Sequence, residues 1–103
     1  MLIVRSHNGI PIRLTEERWA HIIKRHPEME NLREGVLETL VEPEIIQQGD
    51  YGELLAIRFY PETLLTSKYL VVVYREVSPD DGFILTAYLT TRPSDRRIEI
   101  WKS

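Results

Sequence analysis

Histidines 7, 21 and 26 are the side chains of this chain best suited to move protons near neutral pH, and their spacing speaks against a shared metal. His21 and His26 are five residues apart, about 500° of rotation at roughly 100° per helical residue, so one helix cannot present both on a single face as a zinc pair at i, i+4 requires. No H-E-x-x-H, P-loop or G-x-G-x-x-G occurs, the carboxylates of residues 28–44 lack the spacing of a calcium loop, and there is no cysteine. The expectation is therefore no metal and no nucleotide cofactor, with either His21 or His26 available as general acid or base. His7 falls in a turn sequence and receives no role.

A second set of residues suits polyanion chemistry. Arg58, Tyr60, Thr86, Tyr88, Thr90 and Arg92 combine phosphate neutralisation, hydroxyl donors and flat rings on which unpaired bases can stack. An exposed sheet face is also ordinarily covered by such residues, because Thr and Tyr are good strand formers, so the composition alone does not separate the two readings.

The elements that position these residues follow from periodicity. Residues 2–5 and 10–14 are apolar and β-prone, and His7-Asn8-Gly9 between them contains the Asn-Gly pair of a tight reversal, which predicts an N-terminal hairpin. Thr15 is a good N-cap, Glu16 and Glu17 suit the positive end of a helix, and Trp19, Ile22 and Ile23 form one buried stripe. Pro27 ends that helix at His26. His21 lies with Arg18 and Arg25 on the polar side. A regular helix would set His26 on the apolar stripe, whereas Pro27 can redirect it, and both orientations stay open.

A second helix is expected from near Asn31, burying Leu32, Val36, Leu37 and Leu40, until Pro43 stops it; Gly35 weakens it. Beyond Pro43 the period becomes two. Segments 44–48, 54–60, 69–76 and 83–91 read as strands, and the short turns between them imply antiparallel neighbours. Ile98, Ile100 and Trp101 point to a tail that packs back onto the domain, an edge strand being one form it can take. The expected fold is one α+β domain over residues 1–103, with N-terminal short strands and two helices packed on one face of a four-stranded antiparallel sheet. Alternation sends Leu55, Ile57, Phe59, Phe83, Leu85, Ala87 and Leu89 toward the helices and leaves Arg58, Tyr60, Thr86, Tyr88, Thr90 and Arg92 on the uncovered face.

Bulk properties bound the partners. Thirteen Lys/Arg against 16 Asp/Glu give a net charge of −3, unevenly spread: residues 1–26 carry +3, residues 27–62 carry −7 and residues 63–103 carry +1. A nucleic-acid site would be built from the two ends, with the acidic middle turned away. No apolar run approaches the roughly 20 residues of a membrane span, Met1 to Val4 is too short for a signal-peptide core, and the lack of cysteine suits a reducing cytosol, so a cytoplasmic location without membrane contact is expected.

Residues 12–26, IRLTEERWAHIIKRH, followed by Pro43-Glu44, LLAIRFY, KYLVVVYRE and a final ILTAYLT, resemble in their order the phage-type branch of the barnase, EndoU, colicin and RelE-like (BECR fold) nuclease superfamily over roughly residues 12–92. The resemblance implies a metal-independent endoribonuclease, often a toxin of a toxin–antitoxin or phage-related system, partnered by RNA and by an antitoxin or immunity protein. It maps the H-x-x-x-R-H segment to His21, Arg25 and His26, the central basic position to Arg58, and the final-strand T-x-Y to Thr86 and Tyr88. The implied reaction is attack of a ribose 2′-hydroxyl on the adjacent phosphorus. For this, proton transfer falls to His26, with His21 as substitute, the phosphate to Arg58 with Lys68 or Arg92, and positioning to Thr86 and Tyr88; Arg25, Tyr60 and Thr90 join the RNA-binding set. Two other classes compete with this reading, a non-catalytic relative that binds RNA or protein through the same face and an interaction domain that forms a homodimer there.

Overall fold

In the computed structural model, which describes residues 1–61 and 68–103, the order of elements is strand β1 (Leu2–Arg5), strand β2 (Pro11–Leu14), helix α1 (Glu16–Arg25), a 3-10 turn (Pro27–Met29), helix α2 (Arg33–Val41), and strands β3 (Ile45–Gln48), β4 (Leu54–Tyr60), β5 (Lys68–Ser78), β6 (Asp81–Thr90) and β7 (Glu99–Lys102). Among the described residues the strands form one seven-stranded mixed sheet in the order β1-β2-β6-β5-β4-β3-β7. The α+β class stands, but the four-stranded antiparallel sheet is corrected. Strands β3 to β6 form an antiparallel meander, the N-terminal hairpin is added to it by a parallel bridge between Arg13 of β2 and Phe83 of β6, and β7 is added beside β3. Short turns revealed the meander; a parallel pairing between segments so distant leaves no turn to read.

Local chemistry accounts for the helices. Thr15 Oγ1 accepts from Arg18 N at 3.0 Å, two glutamates follow, and Lys24 and Arg25 occupy the last turn of α1, each favourable to the helix dipole. Trp19 and Ile22 are buried. Beyond β2's single bridge α1 runs beside β6, and Arg18 Nη1 donates to Leu85 O at 3.3 Å, so the helix closes the edge of β6 that β2 leaves unpaired. Helix α2 has no side-chain cap and begins at Arg33 rather than Asn31. Packing holds it instead, through Val36, Thr39 and Leu40, all fully buried.

The sheet has two covered faces. Ala56, Val72 and Ala87 stand in register on β4, β5 and β6, and with Leu70, Tyr74 and Ile84 they pack against Trp19, Ile22, Met29, Val36 and Leu40. On the opposite face Leu55, Ile57 and Val71 are only 4%, 1% and 2% exposed. Their cover is the connection 91–98, which must pass from β6 across β5, β4 and β3 to reach β7; Ser94 of this connection receives a hydrogen bond from Gln47 Nε2 at 2.8 Å.

This reverses the expected phase of β4. Leu55 and Ile57 face the crossover, whereas Ala56, Arg58 and Tyr60 face α2. Bulky apolar residues mark a buried face without saying what buries it, and the small Ala56 and Ala87 are what let the helices approach. In β6 the register shifts opposite Val73 and Tyr74, so Ile84 and Ala87, three residues apart, share the helix face. Phe83 consequently leaves the core and lies under the Arg13 guanidinium, 5.4 Å from its ring centre. Beyond the shift, Thr86, Tyr88 and Thr90 fall on the face away from the helices, as alternation predicts.

The expected N-terminal hairpin forms, with Leu2 opposite Leu14 and Arg5 opposite Pro11, and with Gly9 at φ 81° in its turn. Ser6 Oγ and Asn8 Nδ2 donate to the two oxygens of Glu76, at 2.5 and 2.9 Å, and the His7 ring lies 4.0 Å from that of Trp101 on β7.

Two predictions follow from this packing. A Cβ at Gly82 would lie 2.5 Å from Ile12 Cδ1 and 2.6 Å from the Arg75 carbonyl, so Gly82→Ala should lower the urea-unfolding free energy by about 1–3 kcal/mol. Tyr74 is fully buried with its hydroxyl unpartnered among the described residues, and burial first, then the Glu76 charge, holds its ionisation well above the ordinary tyrosine value. The folded-state value is raised, so this contribution to stability is complete below pH of about 10 and is lost as the pH climbs above it. Urea unfolding of Tyr74→Phe should show a smaller loss between pH 7.5 and pH 10.5 than the parent, with neutral-pH stability retained within about 1 kcal/mol.

Candidate functional site

The orientation of His26 is set by the end of α1. Its N–H still donates to Ile22 O at 2.7 Å, but Pro27 forces its backbone out of the helical range, to φ −132° and ψ 75°. The imidazole thereby leaves the path of the buried stripe and comes to rest beside β6. Its ring centre is 5.9 Å from that of Tyr88, its Nδ1 is 3.8 Å from a Glu28 carboxylate oxygen, and its side chain is 34% exposed.

Tyr88 connects His26 to the rest of the crossover face. Beside Ile57 and Val71 it lines a cavity of about 220 Å³ whose floor is Leu55, Ile57 and Val71 and whose wall is Thr90, Arg92, Pro93, Ser94 and Arg97, with Gln47. Thr90 Oγ1 donates to Arg92 O at 3.0 Å, which fixes the start of the crossover, and Arg97 Nη1 stands 3.7 Å from Asp50 Oδ1. Next to Thr90 on the same face, Tyr69 and Phe59 pack edge to face at 5.0 Å. Phenol, hydroxyl, two guanidiniums and exposed aromatic edges thus share one face of the sheet, with the His26 imidazole beside Tyr88 at the edge of β6.

Of the residues expected to act, His26, Tyr88, Thr90 and Arg92 are brought to this face, and Thr86 lies on it opposite Val73. Arg58 and Tyr60 do not belong to it. Arg58 Nε is 3.2 Å from Glu38 Oε1, its Nη1 donates to Glu42 O at 2.7 Å, and the Tyr60 hydroxyl donates to Glu38 Oε1 at 2.8 Å, its ionisation raised chiefly by burial. Both side chains fasten β4 to α2, the Tyr60 hydroxyl also donating to Gly35 O at 3.2 Å. Lys68 is in register with Tyr60 and shares its side of the sheet. His21 and Arg25 are exposed on α1, His21 lining a separate hollow with Thr15, Glu17 and Arg18. Among the described residues no three His, Asp or Glu side chains are grouped to hold a metal, and no helix is long and apolar enough to cross a membrane.

Sequence reasoning passed over Gln47, Pro93, Ser94 and Arg97, and also Tyr69 and Phe59. Two signals were available: an amide directly after the apolar Ile45-Ile46 pair of β3, and the closely spaced Arg92, Arg96 and Arg97 in the connection to β7. Comparison with protein-family models, with curated proteins and with solved structures finds no match.

With Arg58 assigned to the helix side, its loss should be felt in stability. Arg58→Ala is expected to lower the unfolding free energy by about 1 kcal/mol, a modest value because Glu38 and Glu42 keep more than half of their side-chain surface in solvent. Urea titration at low and high ionic strength checks this, the difference from the parent shrinking as salt is added.

Proposed function

We propose that this chain is a metal-independent ribonuclease-like domain that acts on single-stranded RNA on its crossover face, with His26 as the proton-transfer residue. The supporting observation is the turn of His26 off α1 onto the Tyr88 ring, beside a cavity that carries Arg92 and Arg97. Transesterification of RNA requires removal of a proton from the 2′-hydroxyl, donation of one to the departing 5′-oxygen, and cationic donors on the phosphate between them. Bond formation from 2′-oxygen to phosphorus and cleavage of phosphorus from the 5′-oxygen leave a 2′,3′-cyclic phosphate and a 5′-hydroxyl.

In this assignment His26 takes or gives the proton, with a Glu28 carboxylate oxygen 3.8 Å from its Nδ1. Arg92 meets the phosphate from the start of the crossover, since its side chain is exposed and unpaired among the described residues, whereas Arg97 already faces Asp50. Tyr88 positions the strand between imidazole and guanidinium. Tyr69 and Phe59 extend a surface on which neighbouring bases stack. Glu34 and Glu38 of α2 and Glu42 at its C-cap belong to the opposite side of the sheet, which accommodates a polyanion on the crossover face despite the net charge of −3.

Incubation with labelled single-stranded RNA in EDTA should yield fragments ending in 2′,3′-cyclic phosphate. His26→Ala should slow this about 100-fold or more and Arg92→Ala about tenfold or more, while Arg58→Ala retains the parent rate when folded. RNA left intact by the parent protein, or cleavage unaffected by His26→Ala, would refute the reading. Salt-dependent binding without cleavage would leave a non-catalytic RNA-binding domain.

A further inference from the structure

Gln47 raises a question that the ribonuclease reading leaves unanswered. It is 5% exposed, it lines the cavity under the crossover, and its Oε1 has no hydrogen-bond partner among the described residues. The amide cannot simply be rotated to repair this. Its Nε2 donates to Ser94 O at 2.8 Å, and a carbonyl can only accept, so the oxygen is held away from Ser94. A buried amide oxygen without a partner is costly, and a ligand that brings an N–H to it is strongly favoured over one that does not.

The surroundings describe that ligand. Leu55, Ile57 and Val71 provide an aliphatic floor, and Tyr88 and Pro93 provide two rings beside it. At about 220 Å³ the space is smaller than the roughly 300–1,000 Å³ that engulf a drug-sized molecule, so it suits a single ring system with the remainder outside. Arg92 and Arg97 lie on the wall, where a phosphate joined to that ring system would emerge. A flat heterocycle with an N–H edge and an attached phosphodiester is a nucleotide of a single-stranded RNA.

We propose that the cavity beneath the 91–98 crossover is a nucleobase pocket, in which Gln47 Oε1 accepts from the exocyclic amine of adenine, cytosine or guanine and selects against uracil. This rests on the ribonuclease reading for the position of the phosphate but not for the base itself. Uracil is disfavoured for a stated reason. Its ring N–H stands between two carbonyl oxygens, both of which repel the Gln47 Oε1 as it approaches, and one of the two amide hydrogens that could offset this repulsion is already held by Ser94 O.

The test uses the four 3′-mononucleotides with the isotopically labelled protein, following the backbone amides of residues 88–98 by NMR. The three amino-bearing nucleotides should shift these amides and bind about ten- to 100-fold more tightly than 3′-UMP. Gln47→Met, which keeps the length of the side chain, should bring all four within about threefold of one another. Because that substitution also removes the bond to Ser94, Gln47→Glu serves as a second variant: it restores an acceptor and should recover the preference over uracil at pH 7. Equal binding of all four nucleotides by the parent protein, or no shift with any of them, overturns the pocket. Cleavage of RNA without base preference beside the scissile bond overturns it while leaving the ribonuclease reading in place. Mononucleotide binding with the stated preference in a protein that leaves RNA intact supports the pocket and removes the ribonuclease reading.

Discussion

Strands β4 and β5 must be apolar on both sides, and the remaining architecture answers to that requirement. Helix α2 closes one face over Ala56, Val72 and Tyr74, and residues 91–98 close the other over Leu55, Ile57 and Val71. A helix brings its own hydrogen-bonded backbone to a buried surface; an irregular segment does not, so the crossover has to find partners for its polar groups. Gln47 is one such partner, donating to Ser94 O from within the sheet. The same need that put an amide on the covered face of β3 left its oxygen buried without a partner among the described residues, beside a small cavity, so cover and candidate site have a common origin.

The helices and the meander were legible because their signals are local. Thr15, Glu16 and Glu17 announce the start of α1, Pro27 its end, and Asn8-Gly9 the hairpin turn. The two outer additions to the sheet depend on pairings between distant segments, Arg13 with Phe83 and Trp101 with Ile46, which no short-range pattern records. The face assignment failed for a different reason. Alternation distinguishes two sides only when one of them is wet, and in β4 Leu55 and Ile57 are as well buried as Ala56.

The candidate site divides along the same line. Thr86, Tyr88 and Thr90 were readable because β6 alternates regularly after its register shift. Arg58 and Tyr60 were placed with them by the phase of β4, and the acidic residues that claim them, Glu38 and Glu42, sit on a helix whose contacts the sequence leaves open. For His26 the sequence permits two orientations. Pro27 decides between them, since one residue of non-helical backbone is enough to carry the ring from the buried stripe to the edge of β6.

The clasp of Ser6 and Asn8 on Glu76 joins residues 70 and 68 positions apart in the chain. During synthesis this hairpin is therefore complete long before the strand that will receive it has been made. Until β5 and β6 emerge, Ile12 and Leu14, which end fully or almost fully buried, have no core to enter. The meander of β3 to β6 is the part that can assemble from neighbours alone, and the hairpin and β7 close upon it afterwards, so a hairpin made before the meander becomes structured after it.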